Sequence, residues 1–243
     1  MYLHTAALVL NSEPLAENDR LITLYTQALG KVRAILKGAR KTLSKINPQV
    51  QVGSEVQVVL TRGQEWWRLT AAQTTGQLPA TEVFAVRWQW LAWYRFWGRV
   101  LKEEMAEEEI WQVCSLFQQG WATASEEERQ LLYVASTLKL LYHLGYAPRW
   151  QDCGHCQQVI VVAPEFFYSW NSGVICQNCP RLEGAKVALP VAKLCRYFTE
   201  QPRAVWQGKK LSAPIQQQLA NFLDNFLQFH FSDSYDGTLF SGS

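Results

Sequence analysis

Residues 20–37 read RLITLYTQALGKVRAILK, two alternating runs joined by a short break. In the first run Leu21, Thr23 and Tyr25 alternate with Ile22, Leu24 and Thr26. After Ala28-Leu29-Gly30 the alternation resumes, with Val32, Ala34 and Leu36 on one side of the chain. A period of two sends successive side chains to opposite faces of a strand, so both runs predict β-strands. Gly30 can take the positive φ that a tight reversal between them requires.

The same pattern extends on either side of this hairpin. A strand is predicted around Ala6–Leu10. SEVQVVLTRG at 54–63 sets Val56 and Val58 against Gln57 and Val59, then turns near Gly63 into EWWRLTAAQ. Residues 1–79 thus predict a small antiparallel sheet or barrel of five strands. That length fits the oligonucleotide-binding (OB) type, although the pattern alone leaves other small barrels open.

Near Pro79 the period changes. Val86, Trp90, Trp93, Trp97 and Leu101 recur at helical spacing. Further helices are predicted near Glu109–Gly120, Ser125–Leu144, 189–201 and Ala213–Phe231. Ser125 and Glu128 form a capping-box signature, and Gly145 with Pro148 ends that helix. Residues 80–243 therefore predict an all-α domain with a cysteine segment, 151–184, inserted. Within the segment VIVVA (159–163) and FFYSW (166–170) look strand-like, and the polar tail after Ser232 is expected to fray. RWQWLAWYRFWGRV at 87–100 is apolar almost all round. Either it is a central helix covered on several sides, which is the favoured reading, or its tryptophans and arginines line a groove for an apolar peptide.

An apolar fraction of 48% with 18% charged residues describes a chain that folds. MYLHTAALVLNSEPL lacks the features of a signal peptide. The most apolar long window, 83–101, is interrupted by Arg87, Arg95 and Arg99, which argues against a membrane span. A soluble cytosolic protein is expected. No phosphate-cradling, dinucleotide, zincin or nucleophile-elbow motif occurs, and the four histidines are scattered. No enzyme and no small-molecule substrate are expected.

Charge is distributed unevenly. Residues 1–79 carry nine Lys/Arg against five Asp/Glu, whereas 80–150 carry seven against nine. Between Arg20 and Lys45 lie seven basic residues and no acid. Lys31, Arg33 and Lys37 share strand parity, and Arg40, Lys41 and Lys45 continue into a basic loop. Such a track suits phosphates, with Tyr25, Trp66 and Trp67 available to stack on bases. The competing reading is a solvated edge strand kept soluble by its lysines. Of the adjacent pair Trp66 and Trp67, one is expected in the core and the other on the surface.

Cys153 and Cys156 in CGHC, and Cys176 and Cys179 in CQNC, are separated by nineteen residues. Two CxxC turns at this spacing aim four thiolates at one point, the arrangement of a structural Zn2+ site. Disulfides fit a reducing compartment poorly, and a redox dithiol needs only one such turn. A closed set of four leaves no position for substrate. The segment between the pairs has no Lys or Arg, which favours a structural brace over a nucleic-acid-reading finger. Cys114 and Cys195 lie on helical apolar patterns and are expected to be buried.

Taken in order, these features resemble the RecO family of recombination mediators. Gly38-Ala39-Arg40-Lys41 is similar to the family's basic loop. Leu144-Gly145-Tyr146-Ala147-Pro148 is similar to its approach to the first cysteine pair, and Ser169, Gly173, Cys176 and Cys179 to the lead into the second. Thr42-Leu43 and Ser172 depart from the pattern. The resemblance implies a non-enzymatic DNA-repair protein of the bacterial cytosol. It would bind single- and double-stranded DNA and anneal complementary strands. With RecR, it would help RecA replace single-strand-binding protein. Arg20, Lys31, Arg33, Lys37, Arg40, Lys41, Lys45 and Trp66 are the candidate DNA contacts.

Overall fold

Five strands follow one another from the amino terminus: β1 (Tyr2–Pro14), β2 (Arg20–Thr26), β3 (Gly30–Leu36), β4 (Glu55–Thr61) and β5 (Trp67–Thr74). The computed structural model describes residues 2–39, 45–76, 84–181, 183–201, 210–235 and 237. β1 is long enough to pair antiparallel with β4 through its first half and with β2 through its second, bending at an irregularity between Val9 and Asn11. β2 and β3 pair from Arg20↔Leu36 to Thr26↔Gly30, the hairpin that the alternation predicts, and Gly30 has φ +70°.

The order β1-β2-β3-β5-β4 returns to β1, so the strands form a closed ring. The ring is not wholly antiparallel, because β3 and β5 run parallel through Ala34↔Trp67 and Ile35↔Arg68. An odd number of strands cannot alternate direction all the way round, so one pair must be parallel. Inside sit Ala7, Val9, Ile22, Leu24, Val32, Ala34, Leu36, Val56, Val58, Leu60 and Leu69. These are the inward members of each alternation. Leu8 and Leu10 are also buried, on the opposite face of β1, where Gly98 lies against Leu10.

Two helices complete this unit, α1 (Phe84–Val100) and α2 (Glu108–Thr123). Trp90, Trp93, Tyr94 and Trp97 of α1 are buried, and the Trp93 ring stacks on Phe117 of α2 at 3.8 Å. The apolar-all-round helix is therefore core. Within Met1–Thr123 the ring, α1 and α2 form one compact unit, and a second lies within Ala124–Phe240.

The second unit begins with α3 (Glu126–His143), whose capping box joins Ser125 and Glu128 as the sequence signature predicts. Three short antiparallel strands follow, β6 (Glu165–Ser169), β7 (Gly173–Ile175) and β8 (Gly184–Ala188), with β6 central. Then come α4 (Leu189–Glu200) and α5 (Ala213–His230). Lys139 of α3 is buried and donates through Nζ to the Thr199 and Gln201 carbonyls, at 2.6 and 3.3 Å. It thereby satisfies acceptors left open at the end of α4.

Two expectations fail here. VIVVA forms no strand beyond an isolated bridge from Val159 to Asp152, and Val159, Val161 and Val162 stand exposed. The tail does not fray at Ser232, since Tyr235 is buried and donates a hydrogen bond to the Asp224 carboxylate. No helix among the described residues is long and apolar enough to cross a membrane.

Candidate nucleic-acid interface and metal centre

The outer face of β3 carries Lys31 and Arg33 at alternate positions, as their parity requires. It is not bare. The connection between α1 and α2 runs along it, with Glu104 N donating to Lys31 O at 2.8 Å. Met105 O passes so close to Gly30 that an added Cβ would sit 2.0 Å from it, which makes glycine necessary there twice over. The Tyr25 hydroxyl accepts from Glu107 N at 3.2 Å and fixes the far end. Burial holds that phenol protonated far above the ordinary tyrosine range.

Lys31 must therefore be withdrawn from the exposed track. The residue is 8% exposed and its Nζ donates to Gly98 O at 3.0 Å. Burial lowers its pKa, with Glu103 opposing that shift. Arg33 is exposed but paired, Nε to Glu103 Oε1 at 2.7 Å. Arg20 shares the inward parity of Ile22 and Leu24, so it lies half-buried at one end of the ring, with Nη2 donating to Ser12 O at 3.2 Å.

Lys37 is exposed in the turn after β3, where Asp19 Oδ1 accepts from Gly38 N at 2.8 Å. Lys45 is exposed as well, and among the described residues neither lysine has an ion-pair partner. Arg40 and Lys41 lie outside the described residues. The run free of acids in sequence is thus not free of them in space.

Trp66 and Trp67 are both half-buried, Trp67 packing against the ring's core. The sequence reading missed Arg62, whose guanidinium lies 4.9 Å above the Trp67 ring and whose Nη1 meets Glu104 Oε1 at 2.9 Å. It also missed the two glutamates. The acidic KEEMAEEE stretch at 102–109 is visible in sequence, but nothing there says which cations it meets.

In the second unit the sulfurs of Cys153, Cys156, Cys176 and Cys179 all lie within 4.8 Å of one another. Cys156 Sγ and Cys176 Sγ are 3.8 Å apart. Four thiolates at ~2.3 Å from a tetrahedral centre have edges of ~3.8 Å, so the set fits a metal ion. The first turn is closed by Gln157 N donating to Cys153 O at 2.9 Å, and Gly154 N to Val174 O at 2.9 Å ties it to β7. The β6–β7 hairpin brings the second pair back beside the first, where Cys176 N donates to Cys153 Sγ at 3.3 Å.

Electrostatics also suit a cation. Burial works to raise the Cys153 pKa, but N–H groups of Cys156, Cys176 and His155 outweigh it and draw the thiol below its ordinary value. Burial and the neighbouring sulfurs push Cys179 the other way. A bound dication would relieve that mutual repulsion. His155 is exposed and stands outside the set. Cys114 and Cys195 are buried elsewhere as expected, and burial pushes the Cys114 thiol up to about 12.

Gly154 is the tightest point of the cluster, since a Cβ there would lie 2.0 Å from the Ser172 carbonyl oxygen. Gly154→Ala is expected to separate the two turns, costing roughly 1–3 kcal/mol and weakening metal binding. Competition with a chromophoric chelator would measure this, and unchanged metal affinity would contradict the geometry.

Comparison with known proteins covers both units. The family model described as recombination protein O N terminal matches residues 1–78, and recombination protein O C terminal matches residues 118–236. DNA repair protein RecO of Heliobacterium modesticaldum is 30% identical over 186 residues, spanning 75% of this chain and 67% of that protein. The RecO of Frankia casuarinae is 29% identical over 235 residues, 91% and 90% of the two chains. That of Dehalococcoides mccartyi is 28% identical over 206 residues, 81% and 78%. The ring falls within the first model and the four cysteines within the second, and the chain belongs to the RecO family of DNA repair proteins.

Proposed function

We propose that the protein is a DNA-binding recombination mediator whose ring is an OB-type barrel and whose cysteines hold a structural Zn2+. The strand order, with β1 shared between β2 and β4 and β3 closing on β5, supports the barrel reading. The observation that carries the DNA reading is the exposed pair Lys37 and Lys45, flanking the basic sequence Arg40-Lys41 where the chain leaves β3. Arg20 pairs with Leu36 at the end of β3, Arg33 and Trp66 complete the proposed contacts, and Lys31 serves as a prop beneath α1.

On this reading the protein binds single- and double-stranded DNA through phosphates and sequence-tolerant stacking. A cationic surface lowers the repulsion between two complementary backbones, which is what annealing requires. Membership of the RecO family supports, on this reading, loading of RecA with RecR onto DNA covered by single-strand-binding protein, in the bacterial cytosol. No step requires a nucleophile or general base, so the role is non-enzymatic.

Replacing Lys37, Arg40 and Lys41 together by Ala tests the track. Affinity for unrelated DNA sequences should fall by a similar factor. The log–log salt slope should flatten by about 0.7 per lost phosphate contact on single strands. Equal affinity and slope in wild type and variant would put the track elsewhere. A second reading, a zinc-braced protein-interaction module, is favoured by the exposed Val159, Val161 and Val162. It predicts a captured protein partner and no shift of DNA.

A further inference from the structure

OB-type barrels take their ligands on the face of strands 2 and 3, bordered by the loops between strands 1 and 2 and between strands 4 and 5. In this ring Arg33 lies on β3 and Arg62 in the β4–β5 loop, so both belong to that face. Neither guanidinium faces solvent alone. Glu103 holds Arg33 at 2.7 Å and Glu104 holds Arg62 at 2.9 Å. Both carboxylates come from the α1–α2 connection, at the two consecutive residues where it crosses the hairpin.

The connection is held by its backbone, not by these ion pairs. Glu104 N is bonded to Lys31 O, Glu107 N to the Tyr25 hydroxyl, and Met105 O lies tight against Gly30. Glu104 has φ +54°, a conformation that side-chain-bearing residues seldom adopt, and these contacts hold it there. The four charged side chains are 43–64% exposed. Exposed pairs of this kind are weak and screened by salt, so a polyanion can displace them without unfolding anything.

We propose that Glu103 and Glu104 act as built-in phosphate mimics, occupying Arg33 and Arg62 until the phosphates of a nucleic-acid strand replace them. Resting affinity is thereby held down. Each displaced carboxylate frees one more cation for the strand, beside the Trp67 ring over which Arg62 lies. The inference rests on the reading of the ring as a DNA-binding barrel.

The test is Glu103→Gln with Glu104→Gln in the full chain, titrated against a fluorescent oligothymidylate across a salt series. Amides keep the shape and the backbone anchors, and coincident melting curves check the fold. Binding should tighten roughly three- to tenfold at low salt, and the gain should shrink as salt rises, because only the wild type must break its screened carboxylate–guanidinium pairs while both proteins make the same phosphate contacts. Adding Arg33→Gln and Arg62→Gln to that variant should cancel the gain. Wild-type binding with no gain in the variant overturns the inference while leaving the DNA reading intact. A gain that survives removal of both arginines is a general charge effect and overturns it too. Absence of binding by both proteins overturns the inference and the DNA reading together.

Discussion

With Zn2+ held as proposed, Cys153→Ser is expected to abolish metal binding by the second unit and to collapse amide protection across residues 149–188. Strands β1–β5 should keep theirs. Structural zinc contributes about 10–16 kcal/mol to a segment that binds it. That matches or exceeds the ~5–15 kcal/mol net stability of a whole domain. The segment has little else to fold on. β6, β7 and β8 contain 5, 3 and 5 residues, too few for a sheet that stands alone. Its apolar attachments include the contacts of Tyr168 and Trp170 with Phe222 of α5 and the buried Val174 and Val187. Cys153 is the most telling of the four, being wholly buried and accepting the Cys176 N–H that ties one turn to the other. A chelator added to the wild type should reproduce the loss, whereas His155→Ala should leave metal content and protection unchanged. Metal analysis and segment-resolved hydrogen exchange read both outcomes. A Cys153→Ser protein with full protection over β6–β8 would remove the brace from the account.

The parts of this fold that were legible in sequence are those decided within a few residues. Alternation located all five strands, though β1 at Tyr2–Pro14 runs well beyond the expected Ala6–Leu10, and Gly30 marked the reversal because its positive φ is set locally, whereas the close approach of Met105 is not. The cysteine turns were legible for the same reason, each pair being set by its own loop. Contacts fixed by distant chain were not legible. Lys31 and Arg33 read as a cationic track, yet their partners Gly98 and Glu103 lie 67 and 70 residues away. Val159 to Val162 have strand composition, but composition cannot reveal that, among the described residues, only the bridge from Val159 to Asp152 forms. Tyr235 sits in a polar tail, and its hydrogen bond to Asp224 on α5 cannot be read from that tail. The parallel β3–β5 closure follows from counting strands once the ring is known, and no local pattern announces it.

Trp93→Ala is expected to destabilise the first unit by ~3–5 kcal/mol, the range for emptying a large aromatic site. The indole is wholly buried, stacked on Phe117 at 3.8 Å and edge-on to Tyr94 and Trp97 at 5.1 and 6.1 Å. Neighbours this large cannot collapse into the space, because Phe117 also stacks on Trp90 at 5.5 Å and is held in place. At about 2–4 °C per kcal/mol for a chain of this size, the melting midpoint should drop by roughly 10 °C. Trp88→Ala is the matched comparison, since that ring is 37% exposed on the same helix, and it should cost far less. The contrast separates the two meanings of a tryptophan-rich helix. Were α1 a docking groove, removing Trp93 would abolish capture of an apolar peptide and leave the midpoint unmoved. As core, it should shift the midpoint and leave DNA affinity unchanged below the transition, because α1 meets the proposed interface through Gly98, which accepts from Lys31, and through the chain it leads to Glu103 and Glu104.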